Sequence, residues 1–477
     1  MLAMFLALFA SLSWIQVVQA EELAQHPDNN RTLYDSYEIQ RGAILVDGTA
    51  IAASVRSPDV YSFQRTYTDP MVWAPVTGYF NPALRSATGI ERAFNAELSG
   101  TGSSAFFAQI ERILSGQPQR GANVMLTLDS VAQLAAYEAL TQSGYQGAVI
   151  AMEPATGRIL AMASTPSFDT NLIASHSVDD ALTAFDGLEA DPAQPLANRA
   201  IAGDLNPPGS TFKIVVAAAA YESGEFTPQS TLPNLASYVL PGTSTAIQNA
   251  GGVTCGSGGA TVTIADAVRY SCNIPLAQLA VALGDEKIFE MAEKLGFNRS
   301  FETPLESTPS VYPRALSDDR TALSGFGQGD VRATPLQMAM VSAAIANGGV
   351  VMNPHMVEAV LGNDLSIQRA YENTEFGRAM SAQTANDVRD AMVASVRDGA
   401  AQGARIDGID VAGKTGTAQN GDTQPFTLWF TGFAPADNPQ VAVAVVIEDG
   451  GGMGQSATGD ELASPIAKRV IEAVLNR

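Results

Sequence analysis

Ser210-Thr211-Phe212-Lys213 pairs a hydroxyl with an amine, and of the five lysines only Lys213 has a serine three positions before it. On a helix that spacing sets both side chains on one face. A helix start adds free backbone N–H groups and the positive end of the dipole. A hydroxyl there, beside an amine that can be neutral, is an activatable nucleophile. The pair follows a Pro207-Pro208-Gly209 break and opens an apolar, Ala-rich run to Tyr221. A lysine buried on such a helix costs stability unless it has a partner or a role. The alternative is an N-cap serine followed by a lysine that snorkels to water. The pair alone does not choose between them.

Two further patterns carry polar groups into apolar surroundings. Ser271-Cys272-Asn273 lies 61 residues after Ser210, and taken alone reads equally well as a polar loop between helices. Lys414-Thr415-Gly416-Thr417 sits inside the strand-like run Val411 to Gln419. Glycine there lets another chain approach the backbone closely, and lysine supplies a cation where an anion could dock. A lysine that guards an edge strand against pairing is the competing reading.

The elements around these groups follow from periodicity and turn signals. Residues 23–60 are polar with short strand-like pieces such as Ala43-Ile44-Leu45-Val46, and a helical stretch follows near Ile90 to Leu98. Asn123 to Leu128 reads as a strand, and Asp129 caps a helix to about Gln142. Gly147 to Met152 and Arg158 to Ala163 form a hairpin about the turn Glu153 to Gly157. A helix opens at Ser210, helical segments occupy 262–296, and Pro335 to Asn347 is a further helix. Val411 to Gln419, Thr427 to Ala434 and Val441 to Ile447 are three strands of a late meander, and Ala463 to Asn476 closes the chain as a helix. The order predicts one sheet with helices on both faces.

The bulk numbers fit an ordered chain of more than one domain, with 477 residues, 46% hydrophobic and 16% charged. A net charge of -22 repels phosphate backbones, so nucleic acid is not an expected partner. Three histidines, none in a motif that pairs it with a nucleophile, argue against a Ser-His-Asp machine. Met1 to Ala20 is apolar and uncharged, and reads as a membrane anchor or a secretory signal. Either one delivers the rest outside the cytoplasm. There a Cys255–Cys272 bridge is expected to tether a Gly-rich loop, at a gain of ~3 kcal/mol in the chain-entropy model. The other reading is two unpaired small apolar residues. Two thiols with no nearby histidine do not suggest zinc.

Ser-x-x-Lys, Ser-x-Asn and Lys-Thr-Gly in this order resemble the signature of penicillin-binding proteins and serine β-lactamases. Gly147 to Asp169, Asn198 to Lys213, Gly325 to Gly349 and Val411 to Pro435 look like the transpeptidase domain of class B penicillin-binding proteins. Arg41-Gly42-Ala43-Ile44 and Gly89-Ile90-Glu91 look like motifs of that class's N-terminal pedestal. The resemblance implies an α+β fold: a mixed pedestal domain, then a penicillin-binding domain with an antiparallel sheet flanked by helices and an all-helical subdomain. The expected division is an anchor or signal at 1–20, a pedestal at 21–143 and a transpeptidase domain at 144–477.

The implied activity is D,D-transpeptidation of peptidoglycan stem peptides ending in D-Ala-D-Ala, with β-lactam antibiotics as acylating mimics. The resemblance makes Ser210 the nucleophile and Lys213 its base, with Ser271 passing protons. Asn273 orients Lys213 and the substrate. Lys414, Thr415 and Thr417 bind the terminal carboxylate on the strand that Gly416 opens to close approach. It implies no metal and no cofactor. The expected setting is the cell membrane, single-pass, with the catalytic domain extracytoplasmic and divisome proteins as partners in cell division. A D,D-carboxypeptidase or β-lactamase shares these motifs, and a non-catalytic divisome scaffold or β-lactam sensor is the reading from a different class.

Overall fold

The computed structural model describes residues 39–101 and 120–476, with isolated positions among the first 14. The expected anchor or signal at 1–20 lies largely outside them. Among the described residues no helix is long and apolar enough to cross a membrane.

The chain begins with three antiparallel strands, β1 (Ile44–Val46), β2 (Thr49–Arg56) and β3 (Phe63–Tyr67). β4 (Asn123–Leu126) then pairs parallel to β1. Helix α1 (Ser130–Thr141) follows, its first turn capped by Asp129 Oδ1, which accepts from Ala132 N at 2.8 Å. β5 (Gly147–Met152) and β6 (Ile159–Thr165) form the expected hairpin. A 3₁₀ turn over Gly209–Phe212 leads into α2 (Lys213–Glu222). The middle carries α3 (Ile264–Arg269), α4 (Asn273–Leu283) and α5 (Asp285–Lys294), and α6 (Pro335–Ala346) follows after a short helix at Asp318–Ser324. A second hairpin, β7 (Val357–Leu361) and β8 (Ile367–Ala370), precedes α7 (Ala382–Asp398). The meander β9 (Ala412–Ala418), β10 (Thr427–Ala434), β11 (Val441–Ile447) and the helix α8 (Gly459–Leu475) complete the chain.

The meander and the first hairpin make one antiparallel sheet in the order β9-β10-β11-β5-β6. Helices cover both faces, so its inner strands read as unbroken apolar runs rather than as alternating ones. In β5, Ala148, Ile150 and Met152 point into one core, where α6 packs. Val149 and Ala151 point into the other, beneath α1 and α8.

A second sheet, of six strands, has the order β8-β7-β4-β1-β2-β3. It was not expected as one unit, because β7 and β8 come from the far side of the residue 143/144 boundary. α1, from the near side, packs on β6 and α8 of the other sheet. Between α2 and α3 lies another unexpected feature. Residues 231–233 pair with 261–263, and 237–239 with 246–248, as two short ribbons within the otherwise helical subdomain. Strands of three residues among Gly, Ser and Thr carry too little periodicity to be read from sequence.

The pedestal motifs meet in a buried ion cluster. Glu91, fully buried, accepts from Arg41 Nε at 2.6 Å and from Arg65 Nε at 2.5 Å. Tyr67 OH donates to the same carboxylate at 3.2 Å. Burial alone would raise the Glu91 pKa, but Arg65 and Arg41 hold it below the usual carboxylate value. Gly42 is glycine for a steric reason: a Cβ there would lie 1.9 Å from the Ala122 carbonyl oxygen.

Removing the anion strands two buried guanidinium groups, so Glu91→Ala is expected to cost about 3–5 kcal/mol in urea unfolding. A loss below about 1 kcal/mol would show that the pair is solvated and merely surface-like.

Candidate active site

Ser210 lies in the 3₁₀ turn and Lys213 directly follows it as its C-cap. With three residues per turn, positions i and i+3 lie one above the other, so Ser210 and Lys213 share one face of the turn. The expected α-helical start at Ser210 is thus a tighter turn, with α-helix from Lys213 onward. Ser210 is half-buried, and Lys213 is completely buried.

Three groups on the α3–α4 connection receive the buried amine. Lys213 Nζ donates to Ser271 O at 2.6 Å, to Asn273 Oδ1 at 2.8 Å and to Ser271 Oγ at 3.4 Å. From the opposite side, Lys414 Nζ on β9 donates to the same Ser271 Oγ at 2.8 Å and to Thr415 O at 2.8 Å. One hydroxyl oxygen therefore bridges two fully buried lysines. Ser271 holds this position in the left-handed region, at φ 61°. That conformation is strained for serine by roughly 1–3 kcal/mol and concentrates at functional sites.

Burial lowers the Lys213 pKa far below its ordinary value, and the nearby Lys414 charge lowers it further. Burial also lowers Lys414, to about 7, against an opposing pull from Asp460. Both shifts favour a neutral amine, and the Lys414 charge adds to the push on Lys213. A neutral Lys213 would keep two hydrogens to donate and one lone pair able to accept a proton.

The Lys-Thr-Gly strand is the sheet's edge, and it packs on the nucleophile turn. Gly416 faces that turn: a Cβ there would lie 2.8 Å from Pro208 O and 3.1 Å from Trp429 Cβ. The two threonine hydroxyls are not equivalent. Thr415 Oγ1 spends its proton on Ala400 O at 2.9 Å. Thr417 Oγ1 accepts from Gly459 N at 3.1 Å, which leaves its own proton for an anion.

Cys255 and Cys272 are bonded, with S–S 1.97 Å, so the middle residue of Ser-Cys-Asn is tethered to the Gly-rich loop. Among the described residues no group of His, Cys, Asp or Glu side chains could hold a metal ion.

Other contacts at the site had no signal in the sequence. Trp429 Nε1 donates to Pro207 O at 3.0 Å, and Gly209 N donates to Gly327 O at 3.0 Å; both brace the turn below Ser210. Gly327 must be glycine, because a Cβ would meet Gly209 O at 2.0 Å. Asn249 meets the first turn of α4 from 24 residues away. Each partner lies far off in the chain, so no local pattern could reveal it.

The chain that carries this turn, sheet edge and lysine pair is similar to known sequences and structures. The sequence model of the penicillin binding protein transpeptidase domain matches residues 147–472, and that of the penicillin binding protein A dimerisation domain matches 41–124. The chain belongs to the penicillin-binding protein transpeptidase family. It is 38% identical to peptidoglycan D,D-transpeptidase PbpA of Mycolicibacterium smegmatis, over 99% of this chain and 97% of that one. PbpA of Mycobacterium tuberculosis is also 38% identical, with the same coverage. The structure superposes on penicillin-binding protein A from M. tuberculosis in its ceftriaxone acyl-enzyme form with TM-score 0.89 and 37% identity, covering 93% of this chain and all (100%) of that one. The D,D-transpeptidase domain from Eggerthella lenta gives TM-score 0.78 at 33% identity, covering 92% of this chain and 99% of that one.

Gly416→Ala is expected to push β9 off the nucleophile turn, since the clash is with backbone at Pro208 O. The cost should be about 1–3 kcal/mol in thermal unfolding, as for other overpacked sites. An unchanged Tm would mean that the strand and turn are not in contact in solution.

Proposed function

We propose that this chain is a peptidoglycan D,D-transpeptidase working through a Ser210 acyl-enzyme. The observation that carries the reading is the meeting of Lys213 and Lys414 at Ser271 Oγ. Ser210 Oγ attacks the penultimate D-Ala carbonyl and gives its proton to neutral Lys213. Backbone N–H groups of Ser210 and Thr417 hold the oxyanion. Collapse breaks the peptide bond, and the departing D-Ala amine takes a proton from the Lys213–Ser271 relay. An amine of a neighbouring stem peptide then attacks the ester, and Ser210 recovers its proton as the cross-link forms. Lys414 and the free Thr417 proton hold the terminal carboxylate. Thr415 contributes through its backbone carbonyl, which fixes Lys414 Nζ. Asn273 orients Lys213 and the substrate amide.

In this reading a β-lactam acylates the same serine and leaves slowly. Residues 1–20 anchor or export the chain, 21–143 form a pedestal and 144–477 the catalytic domain, outside the cytoplasm at the cell membrane. The pedestal is then the surface offered to divisome proteins. Relatives named peptidoglycan D,D-transpeptidase over nearly the full length support the activity.

Mass spectrometry after incubation with benzylpenicillin tests the nucleophile directly. One penicilloyl adduct is expected on the wild type and none on Ser210→Ala. An adduct that persists in Ser210→Ala sinks the assignment, and rapid penicillin turnover would favour a hydrolase.

The lysine shifts predict a bell-shaped acylation profile. Below the lowered Lys213 pKa the base is protonated and acylation falls. Above about 7 the Lys414 cation fades and carboxylate binding weakens. Lys414→Met removes the charge that depresses Lys213, so the acid limb should move to higher pH. An acid limb that stays put would mean the two amines are not coupled.

A further inference from the structure

Asn273, whose carboxamide holds Lys213, is itself oriented by a segment outside the three motifs. It opens α4, so its N–H and that of Ile274 have no partner within the helix. Cys272 stands at the capping position but its sulfur is bonded to Cys255, and it makes no capping hydrogen bond. The acceptor comes instead from Asn249, whose Oδ1 accepts from Asn273 N at 3.0 Å and from Ile274 N at 3.0 Å. Its Nδ2 donates to Leu235 O at 3.0 Å and Val253 O at 3.1 Å. An asparagine amide has two donor hydrogens and two acceptor lone pairs, and here all are used in a buried place.

The preceding residue completes the arrangement. Gln248 O accepts from Asn273 Nδ2 at 3.1 Å, which turns the carboxamide so that Oδ1 faces Lys213. Without that hydrogen bond, the amide is free to flip and present its NH₂ to an amine, an unfavourable pairing. The loop is pinned at its far end as well. Asn234 accepts from Cys255 N at 2.8 Å and donates to Cys255 O at 2.9 Å, next to the bridge to Cys272.

We infer that Asn249 is a positioning residue for acylation: it caps α4 and, with Gln248 O, fixes the Asn273 amide that orients Lys213. The inference rests on the reading of Ser210 as the acylated nucleophile. Asn249 touches neither the nucleophile nor a substrate group in this role, so its effect passes entirely through Asn273.

A double-mutant cycle on the full chain, read as the acylation of each variant by a fluorescent penicillin, tests this. Asn249→Ala is expected to slow the acylation step about 10-fold, the scale of a missing helix cap, with unchanged affinity for the noncovalent complex. Asn249→Asp retains both accepted bonds but sets a carboxylate oxygen against Leu235 O and Val253 O, so it should recover only part of the rate. In an Asn273→Ala background, Asn249→Ala should add nothing. Wild-type rates in Asn249→Ala, or a full multiplicative loss on top of Asn273→Ala, would overturn the inference. Should Asn249→Ala fail to fold, Asn249→Ser, whose short hydroxyl cannot serve both N–H groups, replaces it in the same cycle. A wild type that takes up no penicillin would instead overturn the Ser210 reading.

Discussion

Two ammonium groups cannot both remain charged around one hydroxyl in a site that excludes water. Lys213 and Lys414 are both buried, and both direct Nζ at Ser271 Oγ. Desolvation penalises each charge, and their mutual repulsion penalises the pair. The site resolves this by neutralising one amine. Burial lowers both pKa values; Asp460 pulls back on that of Lys414, while the Lys414 charge presses that of Lys213 further down. In the proposed mechanism, a cation for the carboxylate and a base for the hydroxyl arise from the same residue type. The difference between them is the carboxylate that supports one and not the other.

Such an arrangement depends on the elements that bury both amines. The antiparallel sheet supplies the rigid edge, with helices closing both faces. Glycines at 416, 327 and 209 let three backbones approach where any side chain would intrude. Ser271 sits in a conformation that serine adopts at a cost. The disulfide at Cys272 and the α3 and α4 helices on either side hold it there. The turn at Ser210, the serine connection and the edge strand are therefore parts of one packed unit rather than three separate motifs.

Much of this was legible in the sequence because the relevant signals are local. Ser210 and Lys213 are separated by one turn, Lys414 and Gly416 interrupt an apolar strand, and the strands 147–152, 427–434 and 441–447 are bounded by turn residues. The order of three weak motifs then carried the resemblance. The rest depends on partners far apart in the chain. Asn249 caps a helix that starts 24 residues later. Trp429 braces a turn 222 residues earlier. The unequal duties of Thr415 and Thr417 follow from what lies behind the strand, Ala400 O and Gly459 N, and strand periodicity does not report that. The six-stranded sheet was missed for the same reason, since its hairpin at 357–370 joins strands more than 200 residues away.

That shared sheet bears on how the pedestal and the catalytic region relate. A linker between separate domains would let one swing against the other. Here β7 pairs with β4 through the backbone, and α1, which leads out of the pedestal, packs directly on the catalytic sheet. Gln133 on α1 is fully buried and ties both sides: its Nε2 donates to Val72 O and Met162 O, each at 2.9 Å, and its Oε1 accepts from Met162 N at 2.7 Å. Asn171 adds a strand-like clasp to the exposed edge of β3, accepting from Tyr67 N and donating to Tyr67 O. Swinging the pedestal would break a ladder and strand buried amides, each at a cost of about 1–3 kcal/mol. The orientation of Ser210 relative to the pedestal is thus set by the same backbone pairing that builds the fold.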